Sequence, residues 1–149
     1  MSQTYFGSGL RSGTDALSDT VDGGYVTLAQ SAVVTSLASG AAASGSIKLP
    51  AGSQIIEIYA DKIVDWAVGG GTATALNVAV GSSAGGTQYM PTTDMASVAR
   101  TAGTLVVADV AAMANIGNNT TVYFTVDPDG TVVTTQAQIQ FTVIYANKA

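Results

Sequence analysis

The sequence contains no cysteine and no histidine. Without cysteine there is no disulfide framework, no thiolate metal site and no cysteine nucleophile. Without histidine the usual general base, the commonest metal ligand and any Ser-His-Asp arrangement are missing together, which excludes most hydrolase mechanisms on inventory alone. Charge is scarce as well: 10% of residues are Asp, Glu, Lys or Arg, against roughly 25% in an average soluble protein. The balance is acidic, net −5, so a basic nucleic-acid footprint is excluded. Long apolar runs are missing too. The uncharged stretches Gly23 to Ile47 and Trp66 to Thr93 are broken throughout by Gly, Ser and Thr, and neither holds the roughly 18 apolar residues a membrane span needs. No basic region followed by an apolar core opens the chain, so we expect a soluble protein made in the cytoplasm and used without Sec export.

What is present is 47% apolar residues on a chain of 149, enough for one domain with a real core. A small domain ordinarily keeps itself soluble by spreading charges over its surface. High apolar content with few charges therefore points to surface intended for contact with other chains.

Met1 to Asp22 is rich in Ser, Gly, Thr and Asp. Its few apolar residues, Tyr5, Phe6, Leu10, Leu17 and Val21, fit neither helix nor strand spacing. We read residues 1–22 as an N-terminal arm and residues 23–149 as the folded domain. In that domain Tyr25 to Leu37 favours one or two strands, Ser39 to Ser46 a loop, and Ile47 to Leu49 a short strand. Gln54 to Asp61 alternates strongly, Ile56, Ile58 and Ala60 facing one way and Ile55, Glu57, Tyr59 and Asp61 the other. Gly69 to Gly71 break the ladder, and Thr74 to Gly81 restores it. Thr93 to Arg100 suits a helical turn or two capped by Thr92 or Thr93, Leu105 to Val107 a short strand, and Ala108 to Ala114 either state. Thr121 to Val126 and Gln136 to Tyr145 alternate around Asp127-Pro128-Asp129-Gly130, a type I turn composition, which predicts a terminal hairpin. About eight short strands with little helix predict an antiparallel β-sandwich of jelly-roll kind. Its core would come from Ile56, Ile58, Val78, Val80, Phe124, Phe141 and Val143.

Several residue groups invite a chemical reading and have a plainer one. Asp127, Asp129 and Gly130 open like a calcium loop, but Thr131, Val132 and Val133 supply no further ligands. Asp15, Asp19 and Asp22 are solvated acids of the arm. Glu57, Asp61 and Asp65 share a strand face and suggest paired-carboxylate hydrolysis, yet with Lys62 beside them a solvated or interface-facing edge explains them better. Gly81 to Gly86 lacks the Lys-Ser/Thr ending of a phosphate loop. Tyr59, Trp66 and Tyr89 suggest a carbohydrate platform, against which core packing or a subunit contact is more economical. The glycosylation sequons at Asn118 and Asn119 carry no meaning without export. No catalytic, metal or cofactor residue emerges.

The succession Gln54-Ile-Ile-Glu-Ile-Tyr-Ala-Asp, Ala75-Leu-Asn-Val-Ala-Val-Gly, Gly85-Gly-Thr-Gln-Tyr-Met, Thr121-Val-Tyr-Phe-Thr-Val and Gln138-Ile-Gln-Phe-Thr-Val-Ile-Tyr resembles the small jelly-roll structural proteins of tailed bacteriophages. The resemblance covers roughly Gln54 to Tyr145. It implies a non-enzymatic virion protein without cofactor: a capsid decoration or cement protein, typically a homotrimer, seated on the major capsid protein at the outer face of the head. Interface anchors are expected at Tyr5, Phe6, Leu10, Trp66 and Tyr89. The alternative is a carbohydrate- or receptor-binding sandwich on a tail or fibre.

Overall fold

The computed structural model describes residues 25–104, 120–132 and 134–148. The arm, Tyr5, Phe6 and Leu10 within it, and the expectations for Leu105 to Asn119 lie outside the described residues. Eight strands follow in order: β1 (Tyr25–Thr35), β2 (Ala43–Leu49), β3 (Ser53–Val64), β4 (Leu76–Gly81), β5 (Met90–Asp94), β6 (Arg100–Ala102), β7 (Thr120–Pro128) and β8 (Gln138–Lys148). They form two antiparallel four-stranded sheets, ordered β1-β8-β3-β6 and β2-β7-β4-β5. The expected all-β antiparallel sandwich is the observed one. Its connectivity is specific: β1 pairs with β8, β2 with β7, β3 with β6 and β4 with β5. First-with-last pairing of this kind is a long hairpin rolled into two layers, which is the jelly roll.

The rolling corrects the terminal hairpin. β7 and β8 lie in opposite sheets, β7 between β2 and β4, and β8 between β1 and β3. Their apolar faces meet across the core, where the rings of Phe124 and Phe141 stack with centroids 4.7 Å apart at 10°. The 129–137 link crosses one end of the sandwich and is tied to other loops, Val132 N–H donating to the Ala38 carbonyl at 2.9 Å and Ser36 N–H to Ala137 at 2.9 Å. A turn composition between two alternating segments is the same for a hairpin and for a sheet-to-sheet crossing, because both need only a chain reversal.

Three further differences have local causes. β3 carries a bulge between Ile55 and Glu57, so Ile55, Ile58 and Ala60 all point inward while Ile56 is 43% exposed. The other expected core residues, Ile58, Val78, Val80, Phe124, Phe141 and Val143, are fully buried. The small-residue run before Ile47 is strand, not loop: β2 starts at Ala43, and a Cβ on Gly45 would stand 2.7 Å from Val34 Cγ2. Small side chains there let β2 pass close beneath β1. Helix is absent among the described residues. At Thr93 to Arg100 the Asp94 carboxylate accepts from Ala96 N–H at 2.8 Å and Leu76 N–H at 2.9 Å. Capping chemistry is therefore present, but it closes a turn that returns the chain from β5 to β6, with Met95 buried.

Candidate functional site

Four of the carboxylates singled out in the sequence, Glu57, Asp61, Asp65 and Asp129, are each committed to a structural partner. Tyr59 donates to Glu57 at 2.6 Å, and this bond holds the phenol above its ordinary pKa. Arg100 forks onto Asp61 at 2.5 and 3.2 Å and lies over the Tyr59 ring, 5.6 Å from its centroid. Asp65 pairs with Lys62 at 2.7 Å, which lowers its pKa. Lys62, 8% exposed at its side chain, also donates to the Ala96 carbonyl at 2.9 Å. Glu57, Asp61 and Asp65 thus bind three different partners.

Asp129 is similarly engaged. Its Oδ1 accepts from the amides of Ala75 at 2.8 Å and Thr74 at 2.5 Å, and its Oδ2 from the Thr74 hydroxyl. Donation from Ala75 and Thr74 holds the carboxyl below the usual carboxylate range. The Asp129 carboxylate therefore ties the start of β4 to the end of β7. No group of three or more His, Cys, Asp or Glu side chains gathers among the described residues.

The three aromatics of the conjectured platform sit in separate settings. Tyr89 is 8% exposed and belongs to the core, Trp66 is half-buried against the core, and Tyr59 lies under Arg100. A ring buried like Tyr89 presents no face to a sugar.

The surface itself is more informative. On the outer face of the first sheet, register places Ala29, Ser31, Val33 and Thr35 of β1 beside Ile144, Thr142, Gln140 and Gln138 of β8. That is a neutral field. Val33, on this face, is 52% exposed. On the second sheet the 82–88 loop folds back over the outer face, Gly85 N–H donating to Thr125 Oγ1 at 3.1 Å. Ala79 and Thr125 are buried beneath it, beside a shallow groove lined by Asn77, Thr92, Thr125 and Asp127. Alternation marked these strands in the sequence, but no local signal showed which outward positions stay open. No helix among the described residues is long and apolar enough to cross a membrane.

Fold and surface define a class: among the described residues, an eight-stranded jelly-roll sandwich with a neutral outer β1–β8 face. The sequence matches no family model and no curated protein. Among solved structures, a chain of the cyanophage Pam1 capsid asymmetric unit is similar at a TM-score of 0.57 with 18% identity, over 93% of this chain and 97% of that one. At this identity the likeness is one of fold. The two coverages show that it joins two chains of nearly equal length, rather than one chain and part of a larger one.

Proposed function

We propose that this chain is a structural protein of a phage virion, a decoration or cement protein that binds the outer surface of the head and works by association, without catalysis. The observation that carries this reading is the end-to-end likeness to a chain of a phage capsid asymmetric unit. Two properties of the chain agree with it. Its charged side chains are few, with Lys62–Asp65 and Arg100–Asp61 paired, and its outer β1–β8 face is neutral, as a surface that will be desolvated should be. The partners are the major capsid protein and further copies of the chain, three in the arrangement that the sequence resemblance implies. The arm, residues 1–22, supplies the anchor, with Tyr5, Phe6 and Leu10 entering pockets of neighbouring chains. The receptor-binding alternative is disfavoured by the burial of Tyr89 and the half-burial of Trp66.

The test is to mix purified full-length protein with phage heads that lack it and to sediment the mixture. The expected result is saturable co-sedimentation with a fixed number of copies per head, and increased resistance of those heads to heat. Protein left in the supernatant at every concentration contradicts the proposal.

A further inference from the structure

The two sheets have four edge strands, β1 and β6 in one and β2 and β5 in the other. An open edge presents unpaired N–H and C=O groups to any other strand, so sandwiches blunt their edges with charge, proline, glycine or brevity. Three of the four are blunted. β6 is three residues long and starts at the ion-paired Arg100, β5 contains Pro91 and Asp94, and β2 carries Gly45 and exposed Lys48. β1 is eleven residues long, holds no charge, proline or glycine, and follows β8 in continuous register without a bulge. Among the described residues no strand pairs with its other edge.

We infer that β1 is a self-pairing edge: two copies of the chain join β1 to β1, antiparallel about a two-fold axis at Gln30, and fuse their first sheets into one of eight strands. The register centred on Gln30 is the one that pairs all eleven residues. It sets Val26 beside the partner's Val34, Leu28 beside the partner's Ala32, and Ala29 beside the partner's Ser31. These pairings are complementary in burial. Leu28 and Val34 stand opposite Tyr145 and Ile139 of β8, both buried, so this row of β1 turns toward the core side. The second half of the row is covered: Val34 is 4% exposed and Ala32 packs against the core. The first half is not, Val26 and Leu28 each being 41% exposed. The two-fold therefore lays the uncovered half of one copy against the covered half of the other and removes apolar surface that a single sandwich leaves in water. An edge of eleven residues is about 36 Å long, and abutting two of them buries on the order of 600 Å² per partner, within the range of stable complexes. Lys48 on β2 confines the pairing to the first sheet. The contact forms between free copies and does not depend on head binding; where three copies meet elsewhere on the chain, it links one such group to the next.

The test uses the full-length protein free in solution. Ala29 and Ser31 are exposed and alternate with the core-facing row, so charging them leaves the core alone. With Ala29→Lys and Ser31→Lys combined, every added lysine faces another across the axis. Pairing should weaken by about tenfold or more, which halves the mass read by light scattering at a concentration where the wild type is paired. The combination Ala29→Glu, Ser31→Glu should do the same. Mixed in equal amounts, the two double variants should regain the wild-type mass, because each lysine then faces a glutamate. Val98→Lys, at 41% exposure between β5 and β6 on the opposite side, should leave the mass unchanged. Melting temperatures report whether each variant is folded. A second measurement needs no variant: hydrogen exchange of the β1 amides in the wild type should slow as concentration rises, while that of β6 stays constant. Loss of mass without rescue on mixing means that the edge takes some other segment, and it overturns self-pairing. A wild type of single-chain mass at every concentration, double variants that keep the wild-type mass, or β1 exchange independent of concentration overturns it as well.

Discussion

Phe124 and Phe141 hold the two sheets together at a single point. One comes from β7 and the other from β8, both are fully buried, and their rings stack at 4.7 Å. Truncating either to Ala should cost about 3 to 5 kcal/mol, and a double-mutant cycle should give a coupling of about 0.5 to 1.5 kcal/mol for the stack. Chemical denaturation measures both, and additive losses would place the rings in separate parts of the core. Asp129 makes a second residue-scale prediction. Its folded pKa lies below the unfolded value of about 3.9, so its contribution to stability is present above that value and is lost as pH falls through the folded one. The melting-temperature difference between wild type and Asp129→Asn should therefore be largest near neutral pH and shrink below about pH 4. Asp65, whose pKa is also lowered, loses its contribution in the same window in both proteins and so drops out of the comparison. A difference independent of pH would mean that the carboxylate's charge does nothing at this joint.

The strands show where sequence reasoning carries and where it stops. Alternation of side chains is a local property, and it located β1, β3, β4, β7 and β8 because each buries one face. Partner choice is not local. The Asp127 to Gly130 reversal reads identically whether β8 turns back onto β7 or crosses to the other sheet, and only the pairing of β7 with β2 and β4 decides between them. The β3 bulge is invisible for a similar reason: Ile55, Ile56 and Ile58 are chemically alike, and the extra residue is set by register against β8. This gives a sharp expectation for the element. Ile58→Ala should lose about 2 to 5 kcal/mol, whereas Ile56→Ala should stay within about 0.5 kcal/mol. Equal losses in thermal or urea unfolding would place both side chains inside. At the opposite end of the sandwich, Gly40 adopts φ of +78°, and a Cβ there would stand 2.6 Å from the Gly130 carbonyl oxygen. Gly40→Ala combines backbone strain with that clash and should cost more than about 1 kcal/mol.

At the scale of the whole molecule, the candidate surface was legible mainly through absences. Missing His and Cys removed most chemistry, and scarce charge pointed to association. Neither said where the remaining charges lie, because the rolled topology decides it, bringing Asp61, Asp94, Arg100 and Asp129 to one end from four different strands or their borders, and Lys48 and Lys148 to the other. The aromatics left two readings open for a related reason: a ring in sequence carries no sign of whether it faces water, and burial of Tyr89 agrees with the core-packing reading over the sugar platform. The central claim, that this protein belongs to the virion, is tested most directly by quantifying it in purified phage particles against the major shell protein, by mass spectrometry with labelled standards. The account predicts a fixed stoichiometric ratio that survives gradient purification and is unchanged between preparations. Particles free of the protein, when the lysate they came from contains it in abundance, would contradict the account.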